Sequence, residues 1–151
     1  MQKQNYFDWM EDVNIKNLHK FNEEQQWFTA ITPTQRFNHT DATCYTTNNR
    51  KITIELKTRD ETLEQFEKWG TVFIEPQKLA YMSAVMESGY CLNENCLYIN
   101  FTSDGHCIVF VFDKIKNIEF KPNVKIWNKG KEKYEYESRF ALDIGEALVY
   151  N

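Results

Sequence analysis

Between residues 7 and 26, apolar side chains recur at Trp9, Met10, Val13, Ile15, Leu18 and Phe21, with no proline or glycine among them. This spacing gathers the apolar groups on one side of a 3.6-residue repeat and predicts an amphipathic helix. The aromatic and β-branched run over 27–32 stops at Pro33 and predicts a first strand. Segments 37–46 and 51–58 predict the next two, separated by the turn-forming pair Asn48-Asn49. The charged stretch 60–68, with Leu63 and Phe66, reads as a helical turn or loop, and 71–75 as another strand. Pro76 suits the first position of a helix reaching residue 87, before Gly89. Segments 96–101 and 106–112 flank Ser103-Asp104-Gly105 and predict a hairpin. From Ile118 the pattern weakens to two short strands, 124–127 and 134–140, and a final segment. These elements predict one α+β domain over 1–151: a mixed sheet flanked by helices, with a core over 7–112 and a β-rich extension over 113–151.

The pattern also fixes a register. In 51–57, Ile52, Ile54 and Leu56 alternate with Lys51, Thr53, Glu55 and Lys57, so Glu55 and Lys57 share the polar face of a half-buried strand. A two-residue loop at Asn48-Asn49 sets Ala42 opposite Glu55 and mismatches the faces. A three-residue loop, Thr47-Asn48-Asn49, instead pairs Ala42 with Ile54, Cys44 with Ile52, and Asp41 with Glu55. Side-chain origins in such a pair lie roughly 5 Å apart, and Lys57 follows one pleat later.

Two carboxylates at that separation repel one another unless a cation lies between them, and their hard oxygens favour Mg²⁺ or Mn²⁺. Asp41 and Glu55 are therefore candidate metal ligands, and Lys57 a group that could orient or deprotonate an attacking water. The pattern Glu-x-Lys alone has little specificity, since Glu119-Phe120-Lys121 repeats it with Asp113 too close for the same hairpin.

Thr40-Asp41-Ala42 followed fourteen residues later by Glu55-Leu56-Lys57, after a helix and a strand, resembles the PD-(D/E)XK, or restriction endonuclease-like, nuclease superfamily. The resemblance covers residues 7–101 and implies an αβββαβ core, like that of the Holliday-junction resolvases, with the acid on the second strand and Glu-x-Lys on the third. Threonine stands where the family name has proline. The resemblance implies metal-dependent hydrolysis of DNA, with DNA as partner. It also implies a further acid on the first helix, for which Glu11 lies at a suitable distance and Glu23 and Glu24 are rivals. Gln77 and Lys78, at the start of the helix after the third strand, match a place where relatives put a polar residue near the phosphate. The alternative is a non-catalytic nucleic-acid-binding or protein-interaction module on the same fold.

Composition adjusts this picture. Hydrophobic residues make up 42% and charged residues 26%, which excludes wholesale disorder. No apolar run is long enough to span a bilayer, and the N-terminus lacks a signal-peptide layout, so a cytoplasmic protein with no membrane partner is expected. The four cysteines are then reduced. The net charge of −4 gives no global attraction to nucleic acid, so binding must be local or through bound metal. A local basic stretch exists in the tail, where Lys125 and Lys131 interleave with Trp127 and Tyr134 and could contact phosphates and bases. The 15% aromatic content serves the core and leaves material for a homodimer contact. The small size and Asn/Lys-rich composition fit a phage or mobile-element setting. Cys91, Cys96, His106 and Cys107 lack the two regular pairs of a zinc site. His39 falls opposite Lys57 in the register above, where it could edge the site. The chain contains no phosphate-binding glycine loop or dinucleotide fingerprint.

Overall fold

The computed structural model describes residues 6–34, 40–87 and 95–151. Helix α1 (Tyr6–Gln25) is followed by strands β1 (Phe28–Pro33), β2 (Ala42–Thr46) and β3 (Lys51–Thr58). Helix α2 (Leu63–Trp69), strand β4 (Thr71–Ile74) and helix α3 (Pro76–Glu87) come next, then β5 (Asn95–Phe101) and β6 (Cys107–Val111). Two long strands, β7 (Ile118–Asn128) and β8 (Lys133–Asp143), precede the short β9 (Leu148–Tyr150).

Six strands form the main sheet in the order β1-β2-β3-β5-β6-β9, with β3 and β5 parallel and every other pair antiparallel. A parallel pair needs a crossover, and here it carries α2, β4 and α3. The sheet is mixed, as expected, but β4 does not join it. It pairs with β8 in a second, three-stranded sheet, β4-β8-β7.

The alternation along β3 sorts the interior into two layers. Ile52, Ile54 and Leu56 face α1, where they pack with Leu18, Phe21, Ile99 and Val109. On the other face, Tyr98, Ile108 and Phe110 pack with Phe66 of α2, Val72 and Ile74 of β4, Met82 of α3 and Leu142 of β8. Full burial of side chains of this size contributes about 1.5–3 kcal/mol each.

The stretch 60–68 is a defined helix rather than a loop. Thr62 caps α2 by accepting from the Gln65 N–H while the Gln65 side chain accepts from the Thr62 N–H. Gly70, with φ +75°, ends it in the left-handed conformation. The tail also departs from expectation: the two short strands are eleven residues each, interrupted in β7 by a register shift between Lys121 and Val124. Pro122 and Asn123, the latter with φ 54°, occupy that shift, and a proline is tolerated in a strand at such a bulge. Strand β2 begins at Ala42, Thr40 and Asp41 form a bend before it, and residues 37–39 of the expected 37–46 strand, His39 included, lie outside the described residues. Among the described residues, no helix is long and apolar enough to cross a membrane.

Candidate active site

The β2–β3 loop sets the geometry. The Thr46 N–H donates to the Arg50 carbonyl at 2.8 Å across Thr47-Asn48-Asn49, and Asn49 takes the left-handed conformation at φ 60°. Ala42 is therefore opposite Ile54 and Cys44 opposite Ile52. One residue before β2, Asp41 lies beyond the paired register and donates its N–H at 3.0 Å to the carbonyl of Ile54, the residue that pairs with Ala42, so the expected pairing of Asp41 with Glu55 does not extend the ladder. Its side chain turns back along β3, where Oδ2 accepts from the Leu56 N–H at 2.7 Å.

Glu55 is 6% exposed and points away from α1, toward the layer containing its parallel neighbour Tyr98. Its Oε1 lies 3.3 Å from Lys78 Nζ, and its Oε2 is buried with no hydrogen-bond partner. Burial, then the charge of Asp41, pushes the Glu55 carboxyl up to about 8 against the opposing pull of Lys78. Burial also raises Asp41, offset by the Leu56 N–H. Lys57 shares the Glu55 face one pleat on, but its Nζ pairs with Glu75 Oε1 at 3.5 Å. Partial burial and the nearby Arg59 guanidinium lower the Lys57 ammonium from its ordinary value, with Glu75 opposing.

Glu75 and Lys78 stand at the junction of β4 and α3, so the crossover brings a third carboxylate and a second lysine to the strand pair. Sequence reasoning missed Glu75. Its position immediately before the helix-opening Pro76 was the available signal, though nothing local showed what it would face.

A buried network fixes this junction to the main sheet. Arg59 donates from Nη2 to the Phe73 carbonyl and the Tyr98 hydroxyl, both at 2.7 Å, and from Nε to Asn100 Oδ1 at 2.9 Å. The Tyr98 hydroxyl donates to the same Phe73 carbonyl at 2.9 Å, and burial holds Tyr98 neutral, its pKa pushed up to about 12. Strands β3, β4 and β5 are thereby locked together beside the carboxylates.

Other candidate residues are placed differently. Glu11 is exposed on α1, which packs on the sheet face opposite Glu55 and Lys57. Glu23 and Glu24 are exposed on the same helix. What α1 presents to the end of β3 is amide rather than acid: Asn14 Oδ1 accepts from the Thr58 hydroxyl at 2.7 Å, and Asn17 Nδ2 donates to it at 3.3 Å. The described contacts of α1 with Thr58 at the end of β3 are thus made by asparagines. Gln77 is exposed in the first turn of α3 and borders the same groove as Lys57 and Glu75.

That groove, about 640 Å³, runs from Lys57, Glu75 and Gln77 past Arg59 to a wall formed by β7 and β8, where Lys125 and Trp127 border it. The tail lysines are largely engaged with acids. Lys131 lies 3.1 Å from Glu135, Lys121 lies 2.7 Å from Glu119, and Lys129 pairs with Asp60. The Glu119-Phe120-Lys121 imitation of the motif is therefore an exposed ion pair within one strand. Cys44, Cys96 and Cys107 are buried free thiols, and Cys91 lies outside the described residues. Among the described residues, no group of three or more His, Cys, Asp or Glu side chains could hold a metal ion. A metal here would have two protein carboxylates, Asp41 and Glu55.

No protein-family model matches the chain, and no curated protein matches it in sequence. Its fold is similar to that of Hjc, a Holliday junction resolvase from the archaeal hyperthermophile Archaeoglobus fulgidus, solved at 1.6 Å, with a TM-score of 0.53 over 90% of each chain at 11% identity. The chain thus has the α+β resolvase-like, restriction endonuclease-like fold.

Proposed function

We propose that this chain is a metal-dependent nuclease that hydrolyses DNA phosphodiester bonds, with Asp41 and Glu55 holding Mg²⁺ or Mn²⁺ and Lys57 acting on the attacking water. The observation that carries this reading is Glu55 Oε2, a buried carboxylate oxygen without a hydrogen-bond partner beside a second carboxylate. Burying such an oxygen is costly unless a ligand satisfies it. Two carboxylate ligands fit Mg²⁺, which commonly takes one or two and completes its shell with water and substrate phosphate. The fold neighbour's being a Holliday junction resolvase supports DNA as the substrate.

A divalent ion held there would supply charge stabilisation to the phosphate and acidify a bound water. The chain's own residues do the rest. Asp41, fixed by the Leu56 N–H through Oδ2, is held beside the Glu55 carboxyl. Lys57 Nζ, with its pKa lowered, orients the attacking water or accepts its proton as the new P–O bond forms and the chain P–O bond breaks. Lys78 exchanges its contact with Glu55 for a phosphate oxygen, and Gln77 borders the path of the strand.

The non-catalytic reading draws on a specific observation too: Lys78 and Lys57 already neutralise Glu55 and Glu75 without metal. Cleavage assays on plasmid, linear, single-stranded and branched DNA in Mg²⁺ and Mn²⁺ separate the two. Metal-dependent cleavage that falls about 10²–10⁴-fold in Glu55→Gln and Lys57→Ala proteins of unchanged melting temperature is the expected result. Binding without cleavage on every substrate would overturn the catalytic reading in favour of a binding module.

A further inference from the structure

The β7–β8 ribbon sorts its side chains sharply between its two faces. Glu119, Glu135 and Glu137 share the face that closes the groove, and each has a basic partner, Lys121, Lys131 and Arg139, at 2.7, 3.1 and 2.7 Å. The register places Phe120, Trp127, Tyr134 and Tyr136 on the opposite face, where they are 53, 46, 58 and 67% exposed. The one charged side chain that the register puts among them is Lys125, whose Nζ sits 4.3 Å from the centre of the Tyr134 ring. Trp127 meets Tyr134 edge to face at 4.9 Å, which leaves ring surface open to solvent. Lys125 and Trp127 also border the groove containing Lys57, so two residues of the aromatic face adjoin it at β7, the edge strand of the ribbon.

An apolar protein partner laid on this face would bury the Lys125 charge with no carboxylate on the ribbon face to meet it, a costly arrangement. A strand of unpaired nucleotides satisfies both features, since its bases stack on the rings and its phosphates meet the ammonium. We propose that the aromatic face of the β7–β8 ribbon binds single-stranded nucleic acid, holding unpaired nucleotides beside the groove through Trp127, Tyr134, Tyr136 and Lys125. This deepens the nuclease reading, from which it takes its class of ligand, and it assigns to the substrate an unpaired segment next to the bond presented to Glu55 and Lys57.

The test is fluorescence anisotropy in EDTA, where no turnover occurs, using labelled single-stranded oligothymidine, a blunt duplex and a duplex with a single-stranded overhang. The wild-type protein should bind the single strand and the overhang more tightly than the blunt duplex. Trp127→Ala and Tyr136→Ala should each weaken single-strand binding about tenfold, the loss expected for one stacked base, and Trp127→Phe should recover most of it. Lys125→Gln should reduce the dependence of affinity on salt by about one phosphate contact. These side chains are exposed, so circular dichroism should be unchanged. Wild-type affinity in the Trp127→Ala and Tyr136→Ala proteins would overturn the proposal. So would a dimer that becomes monomeric in these variants with no change in oligonucleotide affinity. The two readings fail separately: aromatic-dependent binding in a wild-type protein that never cleaves sinks the nuclease reading alone, whereas cleavage with ribbon-independent binding sinks this one alone.

Discussion

Lys78 pairs with Glu55, its Nζ 3.3 Å from Oε1, while Lys57, two residues along the same strand, is turned to Glu75. The two lysines and two carboxylates are thus cross-paired, and under the proposed metal binding Lys78 competes for the Glu55 carboxylate. Lys78→Met should therefore tighten Mn²⁺ binding several-fold in the absence of DNA, measured by electron paramagnetic resonance across a range of alkaline pH, because the substitution also removes a charge that lowers the Glu55 pKa. The same substitution should weaken DNA binding, because a phosphate ligand is lost. If Mn²⁺ affinity falls or stays constant, Lys78 does not compete for that carboxylate.

Glu55 makes the metal-free protein sensitive to alkali. Its carboxyl is raised from 4.5 to about 8, so between those values the folded state retains a proton that the unfolded chain has released. Stability from this group is complete below about pH 4.5 and is lost as pH rises through about 8. In EDTA, the melting temperature of the wild-type protein should fall over that window more steeply than that of Glu55→Gln, whose amide does not titrate. Parallel profiles for the two proteins would refute this assignment.

Arg59 is the clamp between β3, β4 and β5. Arg59→Met removes three hydrogen bonds and leaves Asn100, fully buried, and Tyr98 short of partners. The expected loss is about 3 kcal/mol in urea unfolding, given about 1–3 kcal/mol per buried polar group left unsatisfied. Arg59→Lys should recover little of it, because an ammonium cannot reproduce the fork geometry. A loss within about 0.5 kcal/mol, as for an ordinary surface substitution, would show that the network is not load-sharing.

The β2–β3 loop offers a test of register. Asn49 sits at φ 60°, so Asn49→Ala should cost about 1–2 kcal/mol, and Asn49→Gly should be tolerated. Deleting Asn48 leaves a two-residue loop that sets Ala42 against Glu55, placing the core face of β2 opposite the polar face of β3. That protein should fail to fold cooperatively when melting is followed by circular dichroism.

What could be read from the sequence was local. The pairings of Ala42 with Ile54 and Cys44 with Ile52 followed from a loop length and a two-residue period, whereas Asp41 lies beyond that register and reaches the charge of Glu55 with its own backbone bonded to Ile54. Helix α2 was legible in principle through Thr62, Gln65 and Gly70, but its short, charged stretch hid the capping pattern. Glu75 and the role of Lys78 depended on the crossover returning to β3, a long-range event with no periodic signature. The length of β7 was obscured by Pro122 and Asn123, which read as a break although they form a bulge. Helical periodicity gave α1 a face but not the partner to which that face turns, so it did not choose among Glu11, Glu23 and Glu24.

The pairing of β4 with β8, register Thr71 to Asp143, also orders events during synthesis. Strand β4 leaves the ribosome before its sheet partner exists, so until β8 is made its tie to the main sheet is the Phe73 carbonyl, held by Arg59 and the Tyr98 hydroxyl. The second sheet is thus the last part of the architecture to close, after the residues that join β3, β4 and β5 beside Glu75 have all been made.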